Sequence, residues 1–183
     1  AENNSRFVIS ISHTTRKPRP NEIDGKDYHF ITKEEFKKLI ESQSFYEHAT
    51  IFENYYGTLR EPVINLLAKG KIILFDIDWQ GTQQLKKVIN LPLLTFFIIP
   101  PNIASLKDRL LQRNQDNKKS VEQRMGKFKE EISHWHEYDY VVVNDNLESC
   151  YNRILKTINL EIKGIKKNQN KDEIKLKIND LLK

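Results

Sequence analysis

The chain has 183 residues, 38% of them hydrophobic, and a net charge of +5, which suits one domain that hides roughly 70% of its extended surface in a core of its own. Its single cysteine, Cys150, excludes an intrachain disulfide and fits a reducing compartment. No apolar run approaches the ~20 residues that span a bilayer, and AENNSRF does not read as a signal peptide, so a cytoplasmic protein without a membrane partner is expected. The charge sits at one end: from Lys163 to Lys183 there are seven lysines against three acids. That leaves no basic stripe for nucleic acid.

In chain order, Phe7–Ile11 is a short apolar run and an expected strand. The polar stretch SHTTRKPRPNEIDGKDYHF follows, from Ser12 to Phe30, stiffened by Pro18 and Pro20. Thr32 opens a helix, because TKEE places Glu35 where a capping box needs it and Phe36, Leu39 and Ile40 share a face. Aromatics in Phe45–Phe52 and Asn54–Tyr56 predict two short strands joined by a turn. Arg60–Ala68 predicts a helix that Gly70 stops. KIILFDI (Lys71–Ile77), LLTFFII (Leu93–Ile99) and YVVV (Tyr140–Val143) are near-continuous apolar runs, as strands buried on both faces require. Helical segments separate them, so the fold class is α/β with a largely parallel sheet. Val121, Met125, Phe128, Ile132 and Trp135 form a core stripe on a helix expected over Ser120–Tyr138. The tail from residue 166 reads as a solvated, basic terminal helix.

Ligands of α/β sheets gather at the carboxyl ends of the strands. Two runs end there in polar residues: Asp76 and Asp78 on one side of the DID strand end, and Asn144 with Asp145 after YVVV. A carboxylate so placed holds Mg²⁺, directly or through water, or else caps the next helix; DID alone does not decide. Arg16 and Arg19 bracket Lys17-Pro18, and the stiff backbone suits guanidinium forks that meet a phosphate in fixed geometry, with Tyr28 and Tyr56 as further donors. Arg109 and Arg113 lie one helical turn apart, and Arg124 follows the polar loop NQDNKKS, a candidate mobile lid over a transferring phosphate. Each arginine alone also fits a solvated helix face. In FYEHATIFENYYGT, Glu47 stands isolated among aromatics, with Gly57-Thr58 close behind. One carboxylate can accept the paired N–H donors of guanine, which adenine lacks; a surface glutamate is the plain alternative. His134 and His136, two apart on a helix, do not form a metal pair. His13, His29 and His48 are expected to pack or face solvent, and Cys150 to be inert.

SISHTTRKPRPNEIDGKDYHF, FYEHA…NYYGT, ILFDIDWQG and VVVNDN, in that order, resemble the guanylate kinases, a family of nucleoside monophosphate kinases. The similarity runs from about Phe7 to Ile165. It implies a three-layer, P-loop kinase-like parallel sheet with helices on both faces, a mixed α+β GMP-binding subdomain at about 12–62 and a helical lid at about 113–124, with 1–165 as the domain. It implies Mg²⁺-dependent transfer of the γ-phosphoryl of ATP to GMP, with GMP and ATP as partners, as monomer or homodimer. By position, Ser12, Glu47, Thr58 and Asp78 would contact guanine; Arg16, Arg19, Tyr28 and Tyr56 would grip the GMP phosphate, and Gly57 would let the backbone approach. Asp76 would orient the metal. Arg19, Arg113 and Arg124 would meet the migrating phosphoryl, with Arg109 in support and Asn144 near the adenine.

The family's phosphate loop, G-x-x-x-x-G-K-[ST], finds no match among the six glycines. That loop and its strand are expected to precede Ala1. The lid, in Gln115–Ser120, carries lysines where the family pattern is more acidic. The alternative function is a non-catalytic guanylate-kinase-like module that binds phosphorylated peptides.

Overall fold

A computed structural model describes residues 4–88, 90–112 and 118–183. The chain forms two compact units, Ala1–Leu93 and Leu94–Lys183.

In the first unit, β1 (Phe7–Ile9) pairs in parallel with β6 (Ile72–Leu74), Phe7 opposite Ile72 and Ile9 opposite Leu74. A four-stranded mixed sheet runs in the order β3 (His29–Phe30), β2 (His13–Thr14), β5 (Asn54–Leu59), β4 (Phe45–Ile51). β4 and β5 form a hairpin whose two-residue loop, Phe52 and Glu53, has φ of 47° and 68°. Two positive φ values give the backbone twist that tight hairpins favour, although neither side chain is a usual occupant. A bulge at Tyr46 shifts the register between the Phe45–Leu59 and Glu47–Thr58 pairs.

The helices follow local rules. α1 (Lys33–Glu41) opens on the expected capping box: Thr32 Oγ1 accepts from the Glu35 N–H at 3.1 Å, and Glu35 accepts from the Thr32 N–H at 2.7 Å. α2 (Arg60–Ala68) ends in a Schellman motif, with Gly70 N–H donating to Leu67 O and Lys71 N–H to Leu66 O. Phe36 of α1, fully buried, stacks on Phe45 and Tyr55 at 4.5 and 5.4 Å. α3 (Trp79–Val88) closes the unit against β4: the Gln84 side chain accepts from His48 N–H at 3.1 Å and donates to His48 O at 2.8 Å.

The second unit contains β7 (Phe96–Ile99) parallel to β8 (Tyr140–Val143), with α4 (Ile103–Gln112), α5 (Lys118–Ser133), a 3₁₀ turn (His134–Glu137), α6 (Leu147–Ile162) and α7 (Lys171–Leu182). Ile99, Ile132, Val141, Ile178 and Leu181 make its core, with Phe128 and Trp135 packed against them.

Three expectations need correction. The strands are shorter: the run over Lys71–Ile77 is a strand only at Ile72–Leu74, since β1 ends at Ile9 and the last bond of the pair is Ser10 N–H to Leu74 O. Phe7–Ile11 and Leu93–Ile99 shrink likewise. Burial on both faces holds for β8 alone; β6 is half-buried and Ile98 of β7 is 52% exposed. The basic tail is not simply solvated. Ile178 and Leu181 are core residues, and Gln169 pairs with Val141 as a neighbouring strand would, accepting from its N–H at 2.7 Å and donating to its O at 2.8 Å.

Ile178→Ala should therefore destabilise the protein by roughly 2–5 kcal/mol, whereas Leu176→Ala, on the exposed face of the same helix, should stay within about 0.5 kcal/mol. Urea unfolding of both variants checks this contrast.

Candidate functional site

Two polar clusters lie in the first unit. The first centres on Glu47, only 3% exposed. Alternation along β4 turns Phe45, Glu47 and Ala49 inward together, so a carboxylate occupies a core position. Its cross-strand partner Thr58, 1% exposed, hydrogen-bonds to it, and Thr58 Oγ1 lies 3.4 Å from Ser12 Oγ. Burial pushes the Glu47 carboxyl up to about 6; the Thr58 hydrogen bonds oppose the shift and the charge of Asp78 adds to it. Gly81 makes room: a Cβ there would sit 2.6 Å from Glu47 Oε2. Ser12, Glu47, Thr58 and Asp78 are thus brought together.

Asp76 and Asp78 lie not on a strand but in the segment between β6 and α3, because β6 stops at Leu74. Asp78 does cap the helix, its Oδ1 accepting from Gly81 N–H at 2.8 Å. Asp76 is exposed, and its charge reaches Tyr28, whose hydroxyl is pushed up first by burial and then by Asp76. At Gly57 a Cβ would meet the Phe45 ring and Glu47 O, both at 3.0 Å. Packing within the hairpin already demands glycine there.

The second cluster gathers the cradle residues. The Arg16 guanidinium lies over the Tyr28 ring at 5.3 Å and hydrogen-bonds to Tyr56, and the two tyrosine rings meet edge-on at 6.0 Å. Glu22 joins the arginines: it takes two bonds from Arg16, at 2.8 and 2.9 Å, and one from the Arg19 N–H at 2.8 Å. Sequence reasoning missed Glu22, although an acid three residues after Arg19 and six after Arg16 was there to be read. Gln84, which ties β4 to α3, left no comparable signal.

The histidines resolve by packing. The His13 and His29 rings pack at a tilt, centroids 4.6 Å apart; burial, then the His29 charge, pulls His13 down to about 4. His134 sits with His136 in a 3₁₀ turn rather than the expected helix, and its Nδ1 meets Glu137 at 2.6 Å.

In the second unit, Arg109 Nη2 donates to Asn144 O at 2.9 Å, which joins that predicted pair. Arg153, unforeseen, donates to Val143 O at 2.8 Å and bonds to Asp145. Arg153 thus ties Asp145 to α6 and is also a basic neighbour of Cys150. Burial nonetheless raises the Cys150 thiol, so it stays unreactive. Arg124 is half-buried on α5, which takes up the later part of the expected lid, whereas Arg113 and residues 114–117 lie outside the described residues. Among the described residues no group of three or more His, Cys, Asp or Glu could hold a metal ion, and no helix is long and apolar enough to cross a membrane.

Residues 1–161 match the family model described as guanylate kinase. The chain belongs to the guanylate kinase family. Among similar proteins, a guanylate kinase of Maricaulis maris is 48% identical over 158 residues, covering 86% of this chain and 72% of that one. A guanylate kinase of Rickettsia bellii is 48% identical over 147 residues, covering 80% and 76%. The crystal structure of guanylate kinase from Anaplasma phagocytophilum aligns with a TM-score of 0.70 at 34% identity, covering 85% of this chain and 76% of that one. Family membership agrees with the α/β architecture and with the resemblance carried by the four motifs.

Glu47 gives a signed pH dependence. Its folded pKa of about 6 lies above its ordinary 4.5, so its contribution to stability is fully present below 4.5 and lost as pH rises through about 6. The loss amounts to about 2 kcal/mol at most. His13, held near 4 against an ordinary 6.5, acts oppositely, costing stability as pH falls from 6.5 toward 4. Comparing Glu47→Gln with the wild type removes the shared His13 effect: between pH 4.5 and 7 the variant should gain on the wild type by up to about 2 kcal/mol, measured by urea unfolding at both pH values.

Proposed function

We infer that the chain works as an ATP:GMP phosphotransferase, moving the γ-phosphoryl group of ATP onto GMP to give ADP and GDP. The observation that carries this reading is the buried Glu47 carboxylate, held by Thr58 beside Ser12 and Asp78, in the same unit as a cradle of two arginines and two tyrosines. An ionised carboxylate shut away from water needs donors, and guanine supplies two adjacent ones at N1 and its exocyclic amine. Adenine presents an acceptor at N1 and would leave the charge unpaired, which is a strong basis for rejection. The phosphate end falls to Arg16, Arg19, Tyr28 and Tyr56.

The transferring phosphoryl group needs alignment and charge stabilisation more than covalent chemistry. Arg19, Arg113 and Arg124 take that part, with Arg109 in support and Asn144 on the adenine side. Mg²⁺, when bound, draws charge from the nucleotide phosphates. Asp76 suits a magnesium site of this type as an exposed hard oxygen donor, since Mg²⁺ keeps several waters and takes few protein ligands. The three-layer sheet, the lid at 113–124 and a cytoplasmic place in purine nucleotide metabolism belong to the same reading. A phosphopeptide-binding module is not favoured: relatives matched at 42–50% identity are named guanylate kinases, and a phosphopeptide makes no use of a buried acid for a base.

ADP formation by the full-length protein, followed in a coupled assay, tests this. Turnover with GMP should far exceed that with AMP and collapse in Arg19→Ala and Arg124→Ala. Glu47→Gln should weaken GMP binding by about 1–3 kcal/mol. In the wild type GMP affinity should rise as pH climbs through about 6, where the carboxylate ionises, and the rise should be smaller in the variant, which keeps only the share due to the second ionisation of the GMP phosphate. GMP binding without any turnover would move the chain to the binding-module reading.

A further inference from the structure

Arg16 and Arg19 are three residues apart on a stiffened loop, and two guanidinium groups so close repel each other. What offsets that repulsion is Glu22. Its carboxylate meets Arg16 fork to fork, Nη1 to Oε2 at 2.9 Å and Nη2 to Oε1 at 2.8 Å. The same Oε2 accepts from the Arg19 main-chain N–H at 2.8 Å, and Oε1 lies 3.7 Å from Arg19 Nη1. The loop is closed a second time by its backbone, since Glu22 N–H donates to Arg19 O at 3.0 Å across Pro20 and Asn21. Pro20 occupies the turn position that favours its fixed φ. One acid thus sets the plane of one guanidinium and the turn that carries the other.

The arrangement is largely shielded, with the Arg16 and Glu22 side chains 17% and 15% exposed. The guanidinium is also braced from outside the ion pair. Arg16 Nη1 donates to Lys17 O at 2.8 Å, and its face rests on the Tyr28 and Phe30 rings. Arginine has five N–H donors; those not given to Glu22 and Lys17 remain for Tyr56 and an incoming anion. With Glu22 ionised the trio keeps one net positive charge, enough to attract a phosphate while the two arginines are restrained in advance. A flexible arginine loses rotamer freedom on binding, and one already fixed by a carboxylate does not lose it again.

We propose that Glu22 is the positioning residue of the phosphate cradle, fixing Arg16 and Arg19 before a phosphomonoester arrives, so that its effect is confined to the phosphate end of the nucleotide. This rests on the reading of the site as a GMP site. The bland alternative is that Glu22 merely braces the fold. The rival electrostatic one is that it competes with the phosphate for Arg16 and must be displaced.

Calorimetric titration of the full-length protein and of Glu22→Gln with GMP and with guanosine, which has the base and sugar but no phosphate, separates these. The expected result is a GMP Kd raised about 10- to 100-fold in Glu22→Gln, the effect of losing charge-assisted hydrogen bonds, with guanosine affinity unchanged within about two-fold. Retained guanosine binding also shows that the variant is folded. Glu22→Asp, which keeps the charge but is one methylene short, should fall between. Unchanged GMP affinity in Glu22→Gln overturns the proposal, and so does tighter GMP binding, which would make the carboxylate a competitor. Equal weakening of GMP and guanosine overturns it too, since that would make Glu22 a general structural residue. Failure of the wild type to bind GMP would be a different outcome, removing the GMP reading itself.

Discussion

A carboxylate in a core position is the constraint from which the first unit's design follows. Glu47 stands in the inward series of β4 between Phe45 and Ala49, where an apolar residue would cost nothing. Burial of its charge is costly enough to raise its pKa to about 6. The surroundings answer that cost only in part. Thr58 donates to it, but Asp78 adds a second negative charge nearby, and Gly81 gives it space rather than a bond. A site left under-satisfied in this way gains most from a ligand that brings donors, and gains little from one that brings acceptors. In the proposed GMP site, this deficit of donors around Glu47 is the electrostatic basis for choosing guanine over adenine.

The sheet explains how one ligand could be gripped at both ends. β5 carries Tyr56 and Thr58 two residues apart, on the same side of the strand and separated by about 7 Å along it. Tyr56 faces the arginine cradle and Thr58 the buried acid. β2 does the same from the neighbouring position: Ser12 just before it reaches Thr58, and the chain after it leads through Thr15, which accepts from Tyr55 N–H at 2.9 Å, to Arg16. In the proposed site, Tyr56 and Thr58 of β5 and the two ends of β2 thus link the base side to the phosphate side. Main-chain pairing of β2 with β5 fixes the spacing of Ser12, Tyr56 and Thr58, while Arg16 and Arg19 lie on the stiffened loop that follows β2. The clamp between Gln84 and the His48 main chain keeps β4, and with it Glu47, seated on α3.

What could be read from the sequence follows the range of the interactions involved. The capping box at Thr32, the stop at Gly70 and the stripe on α5 are written within a few residues, and each was legible. Strand ends were not. KIILFDI reads as seven strand residues, but a strand is as long as its partner allows, and β1 stops at Ile9. For the same reason Asp76 and Asp78 moved off the strand and into the following segment. Glu47, Arg16 and Arg19 stood out because their chemistry clashes with their neighbours in sequence. Glu22 looked like one more acid in a polar loop, since nothing in NEIDG shows that its side chain turns back to Arg16. His13 and His29 meet only because β2 and β3 pair, a contact sixteen residues apart that no local pattern encodes.

The tail shows the limit of composition most clearly. Its lysines mark it as a solvated helix, and most of them are exposed, yet an average over a helix conceals a narrow face. Ile178 and Leu181 are three residues apart, a single stripe on α7, and both are nearly inaccessible in the core that β7, β8 and α5 share. Gln169 prepares that docking by offering its amide to both polar groups of Val141, in place of the peptide unit of another strand. An open strand edge is a liability for any sheet, and here the end of the chain covers part of it at the cost of one glutamine and two apolar side chains. The charge that suggested a free arm is what keeps the outer face of this strap in water.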